Sequence, residues 1–209
     1  MPKTFYLHGF ASSPKSYKVQ YFLGRSPELV VPDLNYFNQE NFQTLTVSRQ
    51  VEQVRQLLSE PSYLIGSSLG GLTAAILAEK YPELVKKIVL LAPAFRFTDN
   101  WQKRLGKEAI ERWQIKGTLP IYHYSYEQEI DLHYGFFQDA LTYCHYPFNN
   151  TVPTLIIHGI HDDVVPIEVS QAYAQDKPLV TLSPVDDDHN LGKYLPDLFA
   201  RVDAFLQNS

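Results

Sequence analysis

Six short apolar runs, separated by segments of helical spacing, constrain this chain more than any other feature. They are Lys3–His8 (KTFYLH), Leu29–Leu34 (LVVPDL), Ser62–Ser67 (SYLIGS), Lys87–Ala92 (KIVLLA), Thr154–His158 (TLIIH) and Pro178–Ser183 (PLVTLS). Runs this short, rich in β-branched and aromatic residues, read as strands. KIVLLA is almost continuously apolar, as expected of a strand covered on both faces. The segments between them repeat apolar residues every three or four positions. Val47, Val51, Val54 and Leu58 form one stripe, and Leu69, Leu72, Thr73, Ile76 and Leu77 the next. Ser13-Pro14 reads as an N-cap with proline at the first helical position, opening a helix through Tyr17 and Tyr21 to Gly24. Pro166 opens another, and Leu198, Val202, Phe205 and Leu206 mark a last helix near the C-terminus. Strand and helix in alternation give an α/β architecture: a mainly parallel sheet of about six strands, right-handed crossovers, and helices on both faces.

One interval breaks the rhythm. From Phe95 to about residue 150 no strand is evident, while Asp99–Trp113 and Tyr126–Tyr146 carry helical pattern. No Gly/Ser-rich linker flanks this interval. The expectation is a single domain over residues 1–209, with a helical insertion at about 95–150 lying over the C-terminal edge of the sheet.

Composition narrows the partners. A net charge of −5 without a long basic run argues against nucleic acid or an anionic membrane. No apolar run approaches the ~20 residues needed to cross a bilayer, and MPKTFYLHGF lacks the pattern of a secretory signal. The single cysteine, Cys144, cannot form an intrachain disulfide, which fits a reducing, cytoplasmic location. No histidine pair has zinc-site spacing and no phosphate-binding glycine loop is present, so neither metal nor cofactor is expected. No motif sets an oligomeric state.

The chemistry concentrates at Gly66-Ser67-Ser68-Leu69-Gly70, which fits G-x-S-x-G in one frame only, with Ser68 at the centre. A strand precedes it and a helix follows. Glycines two positions away on either side permit a sharp turn that lifts the central side chain clear of the sheet at a helix N-terminus. A serine hydroxyl needs a base, and the base an orienting acid. The fifth strand ends in HGIHDDVVP, with acids at the strand's C-terminal edge. The sixth is followed by DDDHNLG, which places His189 in the next loop. Serine, acid, histidine is the chain order of this constellation on an open α/β sheet.

YLHGFASSP, GSSLGG, HGIHDDVVP and DDDHNL together resemble the α/β-hydrolase superfamily, and more narrowly the small YqiA-type esterases. The resemblance implies an α/β-hydrolase fold. It aligns Asp162, rather than Asp163, with the acid and His189 with the base. One of Asp186, Asp187 and Asp188 could replace Asp162 as the orienting acid. His8-Gly9-Phe10 matches the oxyanion loop, so that the backbone N–H groups of Phe10 and Leu69 would receive the developing charge, with His8 holding the loop. In this fold a segment such as 95–150 caps the active site. Phe95, Trp101 and Phe136 are then candidate substrate contacts, or else residues that pack the cap onto the core. The implied activity is hydrolysis of a small-molecule carboxylic ester or thioester through Ser68, His189 and Asp162 and an acyl-enzyme. Cleavage of another bond (C–C or amide) by the same residues, and a non-catalytic ligand-binding protein on the same fold, remain as alternatives.

Overall fold

The computed structural model describes residues 2–208. Five strands form one parallel sheet: β1 (Thr4–Leu7), β2 (Ser62–Ser67), β3 (Val85–Leu91), β6 (Thr154–Gly159) and β7 (Val180–Val185), adjacent in that order. Two further strands, β4 (Thr118–His123) and β5 (Gln128–His133), pair with each other elsewhere. The helices are α1 (Tyr17–Leu23), α2 (Val47–Leu57), α3 (Leu69–Lys80), α4 (Phe97–Leu105), α5 (Lys107–Lys116), α6 (Gly135–Cys144), α7 (Glu168–Ala174) and α8 (Leu195–Gln207).

The period-two alternation of the strands divides the core. Phe5, Leu7, Leu64, Ile88, Leu90 and Ile156 pack on one side with residues of α2 and α3. Tyr6, Ile65, Val89, Leu91, Leu155 and Ile157 pack on the other with Val19 and Phe22 of α1 and Leu195, Leu198 and Val202 of α8. Each large side chain buried in this way contributes about 1.5–3 kcal/mol of transfer free energy. Parallel pairing also aligns the strand ends: Leu7 faces Gly66, Ser67 faces Leu91, Leu91 faces Ile157 and Ile157 faces Ser183. The loops that follow β1, β2, β6 and β7 therefore leave the sheet along one edge, where open α/β sheets bind ligands.

Four sequence expectations change in the structure. The run Leu29–Leu34 makes only a bridge between Val30 and Phe5 at the sheet edge, with Tyr6 N–H to Val30 O and Val30 N–H to Thr4 O both at 2.9 Å. Pro32 has no N–H with which to extend the ladder, and Asp33 turns the chain by accepting from Asn35 N–H at 3.0 Å. The sheet thus has five strands plus this bridge rather than six. The interval 95–150 is not all helical: Thr118–His133 forms the antiparallel β4–β5 hairpin. Its exposed polar positions, such as Gln128, Glu129 and Asp131, hide the strand signal. The helical pattern from Asp99 to Trp113 is two helices, divided at Gly106, whose φ of 79° suits glycine alone. Finally, α1 begins at Tyr17 rather than at Pro14. Ser13 closes a turn instead, its Oγ accepting from Lys15 N–H at 3.1 Å, and Val19 and Phe22 rather than the exposed Tyr17 face the core.

Candidate active site

Ser68 stands between β2 and α3 with φ 52° and ψ −115°. A non-glycine residue reaches this region only where its surroundings enforce it, at a cost of order 1–3 kcal/mol. The enforcement is visible. Ser68 N–H donates to Leu91 O at 2.9 Å, and its carbonyl accepts from Gly71 at 2.9 Å, Ala94 at 3.0 Å and Leu72 at 3.2 Å. The flanking glycines allow the close approach: a Cβ on Gly66 would strike the Gly70 carbonyl, and one on Gly70 would strike the carbonyls of Leu7 and His8.

The turn delivers the Ser68 hydroxyl to the loop after β7. His189 Nε2 lies 3.0 Å from Ser68 Oγ, and His189 Nδ1 lies 2.7 Å from Asp162 Oδ2. The Asp162 side chain is buried, and its four hydrogen bonds fix the tautomers. Oδ1 accepts from the N–H groups of Val164 and Val165 at 2.9 and 2.7 Å. Oδ2 faces His189 Nδ1 and, at 3.1 Å, His158 Nε2. A carboxylate only accepts, so His189 carries its proton on Nδ1 and offers the Nε2 lone pair to the serine hydroxyl. Burial disfavours the Asp162 charge, but the hydrogen bonds of His158 and His189, the charge of His189 and the Val165 N–H outweigh it. The carboxyl is held well below the usual carboxylate range.

His158 is a further participant, beyond the residues that the sequence motifs single out. It is fully buried at the end of β6. Its Nε2 faces two acceptors, Asp162 Oδ2 and the Val165 carbonyl at 2.9 Å, and so bears the proton; Nδ1 accepts from the Ser170 hydroxyl at 2.7 Å. It braces the acid from the side opposite His189. The only hint in the sequence is the position of His158 four residues before Asp162, at the end of an apolar strand.

The other acids of these loops are engaged elsewhere. Asp186 pairs with His161 at 2.9 Å and Lys193 at 2.7 Å, Asp187 accepts from Lys193 N–H at 3.0 Å, and Asp188 accepts from Asn190 N–H at 2.8 Å. None of them takes the place of Asp162 at His189, and Asp163 is exposed.

On the opposite side of Ser68, His8 holds the loop after β1. Its Nε2 accepts from Leu34 N–H at 2.9 Å, so Nδ1 carries the proton and donates to Gly9 O at 3.0 Å. Leu69 is the first residue of α3, where the N–H has no intrahelical partner. Phe10 N–H donates to no group among the described residues.

Phe10 also opens an aromatic cluster. Its ring lies 5.4 Å from Trp101 and 5.2 Å from both Phe136 and Phe42. Trp101 is partly exposed, whereas Phe136 is fully buried. Phe95 joins a different group, stacked on Tyr173 at 4.2 Å and near Phe148 at 5.6 Å. His123 is fully buried against Tyr126 and Phe42, and among the described residues neither of its ring nitrogens has a partner. A metal-capable trio, Asp99, Cys144 and His145, bridges α4 and α6, but the Asp99 carboxylate is already held by Arg96 at 2.6 Å.

A family model described as "Uncharacterised protein family (UPF0227)" matches residues 3–207. The chain belongs to the UPF0227 family. Its fold is that of the α/β-hydrolase superfamily. This UPF0227 chain superposes on mouse alpha/beta hydrolase domain-containing protein 10 with a TM-score of 0.80 at 24% identity, covering 99% of this chain and 90% of that one. It superposes on Est1E from Butyrivibrio proteoclasticus, solved with ferulic acid, with a TM-score of 0.80 at 18% identity, covering 99% and 88%. Among curated relatives, mouse "Palmitoyl-protein thioesterase ABHD10, mitochondrial" is 31% identical over 134 residues, which is 60% of this chain and 45% of that protein. Human "Monoacylglycerol lipase ABHD6" is 25% identical over 136 residues, 57% and 40%. The chain thus spans under half the length of these relatives. No helix of the described residues is long and apolar enough to cross a membrane.

Proposed function

We propose that this chain is a serine hydrolase that cleaves a carboxylic ester or thioester of a small molecule. The observation that carries the reading is the continuous chain of contacts from Ser68 Oγ through His189 to Asp162, at 3.0 and 2.7 Å, at the end of a strained elbow. Ser68 attacks the acyl carbonyl while His189 Nε2 takes its proton. The oxyanion is received by the N–H groups of Phe10 and Leu69, an arrangement whose single donors are worth roughly 10²–10³ in rate. His189 then returns the proton to the leaving alcohol or thiol, leaving Ser68 acylated. Water, deprotonated by the same imidazole, releases the acid. Asp162 stabilises the imidazolium that forms at each step.

The relatives named as a palmitoyl-protein thioesterase and a monoacylglycerol lipase support acyl transfer from sulfur or oxygen. We assign the acyl group to the aromatic cluster around Phe10, with Trp101 as its accessible wall and the segment between β3 and β6 as the roof. The lone free thiol, Cys144, suits a reducing compartment such as the cytoplasm.

Labelling with a fluorophosphonate probe tests the reading, because the probe reacts only with an activated serine. Wild type is expected to label and Ser68→Ala to stay blank. An unlabelled, folded wild type would turn the assignment toward a ligand-binding protein on a hydrolase scaffold. A graded panel of acyl esters and acyl thioesters then sets the substrate.

A further inference from the structure

The loop after β1 is held from two sides, and the sheet is only one of them. A Cβ on Gly9 would sit 3.3 Å from Ser68 Cβ and 4.0 Å from Ser68 Oγ, so the loop passes directly against the nucleophile. The core anchors it before and after this point: His8 Nε2 accepts from Leu34 N–H at 2.9 Å, and Ser12 O accepts from Asn35 Nδ2 at 2.8 Å. Between those anchors Ala11 has φ 51°, a conformation that an alanine keeps only where its surroundings enforce it. Part of the enforcement comes from the segment between β3 and β6. Tyr124, in the turn of the β4–β5 hairpin, donates its N–H to Ala11 O at 3.2 Å. Among the described residues, this is the one backbone hydrogen bond that residues 9–11 make to a distant part of the chain.

The Phe10 ring supplies a second contact. Four rings surround it, and three belong to that same segment: Phe136 at 5.2 Å, Trp101 at 5.4 Å and Phe97 at 6.2 Å, with Phe42 of the core at 5.2 Å. Phe136 packs in turn on Phe97 and Trp101 at 5.5 and 5.8 Å. The ring that α4 and α6 enclose and the N–H assigned to the oxyanion thus belong to one residue.

We propose that the segment between β3 and β6 positions the oxyanion donor, with Phe136 as the positioning residue: its packing on the Phe10 ring, together with the Tyr124 N–H on the Ala11 carbonyl, holds the Phe10 N–H where the negative charge develops. The inference rests on Ser68 being the nucleophile and on Phe10 N–H being a donor to the oxyanion. Phe136 is fully buried and has no exposed surface with which to meet a substrate, so its contact with Phe10 serves position and not binding. Any displacement of the roof displaces the donor with it.

The test compares wild type, Phe136→Leu and Phe137→Leu as full chains, with an acetyl ester too short to report on the acyl wall. Phe137 is an equally buried neighbour in α6, but it packs on Trp113 and Tyr134 at 5.7 and 5.9 Å and not on Phe10. Both variants lose the same atoms from the core, and urea unfolding reads that shared loss of stability. One oxyanion donor is worth roughly 10²–10³ in rate, and a misplacement of about 1 Å costs up to about 100-fold. Phe136→Leu is therefore expected to lower kcat at least about tenfold with KM within about twofold, and to slow fluorophosphonate labelling in parallel. Phe137→Leu is expected to keep kcat within about threefold. In a Phe10→Leu background, Phe136→Leu is expected to cost little more, because the ring it braces is gone. Tyr124→Pro deletes the donor to Ala11 on an exposed side chain and is expected to lower kcat with the same unchanged KM; it decides the question if Phe136→Leu does not fold. Wild-type kcat in Phe136→Leu, an equal loss in Phe137→Leu, or multiplicative losses in the double variant overturns the proposal. Absence of labelling in folded wild type overturns the nucleophile assignment and this inference with it; a labelled wild type whose kcat is indifferent to Phe136 overturns this inference only.

Discussion

Replacing Asp162 by Asn removes one charge and reverses the direction of two hydrogen bonds, which makes the outcome calculable. An asparagine oxygen in place of Oδ1 still accepts from Val164 and Val165. The amide NH₂ then replaces Oδ2 and points two N–H groups at two ring nitrogens that bear protons. His189 can escape by moving its proton to Nε2, but that nitrogen then no longer accepts from Ser68. His158 cannot follow without turning a lone pair toward the Val165 carbonyl at 2.9 Å. One donor–donor conflict therefore remains, at a cost of about 1–3 kcal/mol in stability. The wrong tautomer of His189 costs about 10⁴ in kcat, close to 5.5 kcal/mol of transition-state stabilisation. The pH dependence has a definite sign. The folded carboxyl of Asp162 is depressed, so its contribution is complete above the unfolded value near pH ~4 and is lost as pH falls through the folded value. The stability gap between wild type and Asp162→Asn is therefore widest at neutral pH and narrows in acid. Steady-state hydrolysis of a short acyl ester and urea unfolding at two pH values measure both effects. Asp163→Asn, on an exposed side chain, should stay within a few-fold of wild type. The reasoning fails if Asp162→Asn retains more than a tenth of wild-type kcat, or if Asp163→Asn loses as much.

Three further substitutions probe other parts of the site. His158→Ala leaves the Val165 carbonyl, the Ser170 hydroxyl and one of the Asp162 hydrogen bonds without a partner; urea unfolding should show a loss of about 2–5 kcal/mol, and kcat should fall through the loosened acid. Gly70→Ala places a Cβ against the carbonyls of Leu7 and His8, so the elbow and β1 must separate; a stability loss of at least about 1–3 kcal/mol is expected, together with slow probe labelling, and a fully active, stable variant would contradict the packing described. Trp101→Ala removes a partly exposed ring that touches Phe10, Phe97 and Phe136; the KM of long acyl substrates should rise while short ones are little affected, and equal effects on both would remove Trp101 from the acyl wall.

The parts of the fold legible in the sequence were those that a local rule writes alone. Ile88–Leu91 of KIVLLA had to be buried on both faces because all four side chains are apolar, and they form the central β3. The stripe Val47, Val51, Val54 had to face a core, and all three are buried. Legibility failed where a local signal met a competing one. LVVPDL has strand composition, but Pro32 and the turn at Asp33 limit it to a bridge. The β4–β5 hairpin carries charges at positions that face solvent, so its alternation does not separate it from a loop. Tyr17 and Tyr21 share a helix face, but it is the offset pair Val19 and Phe22 that meets the sheet.

The site divides along the same physical line. Ser68 was readable because its backbone conformation demands small neighbours at fixed offsets, and those offsets are written in the chain. His189 and Asp162 were readable because parallel strands bring the loops after β6 and β7 to the edge where β2 ends. His158 was not, since nothing local requires it. A histidine at a strand end is ordinary. Its role exists only through what faces it: a carboxylate that has two lone pairs left after two backbone N–H groups are served. Residues of this kind are found by asking of each buried acceptor which proton satisfies it, and that question has an answer only once the chain is folded.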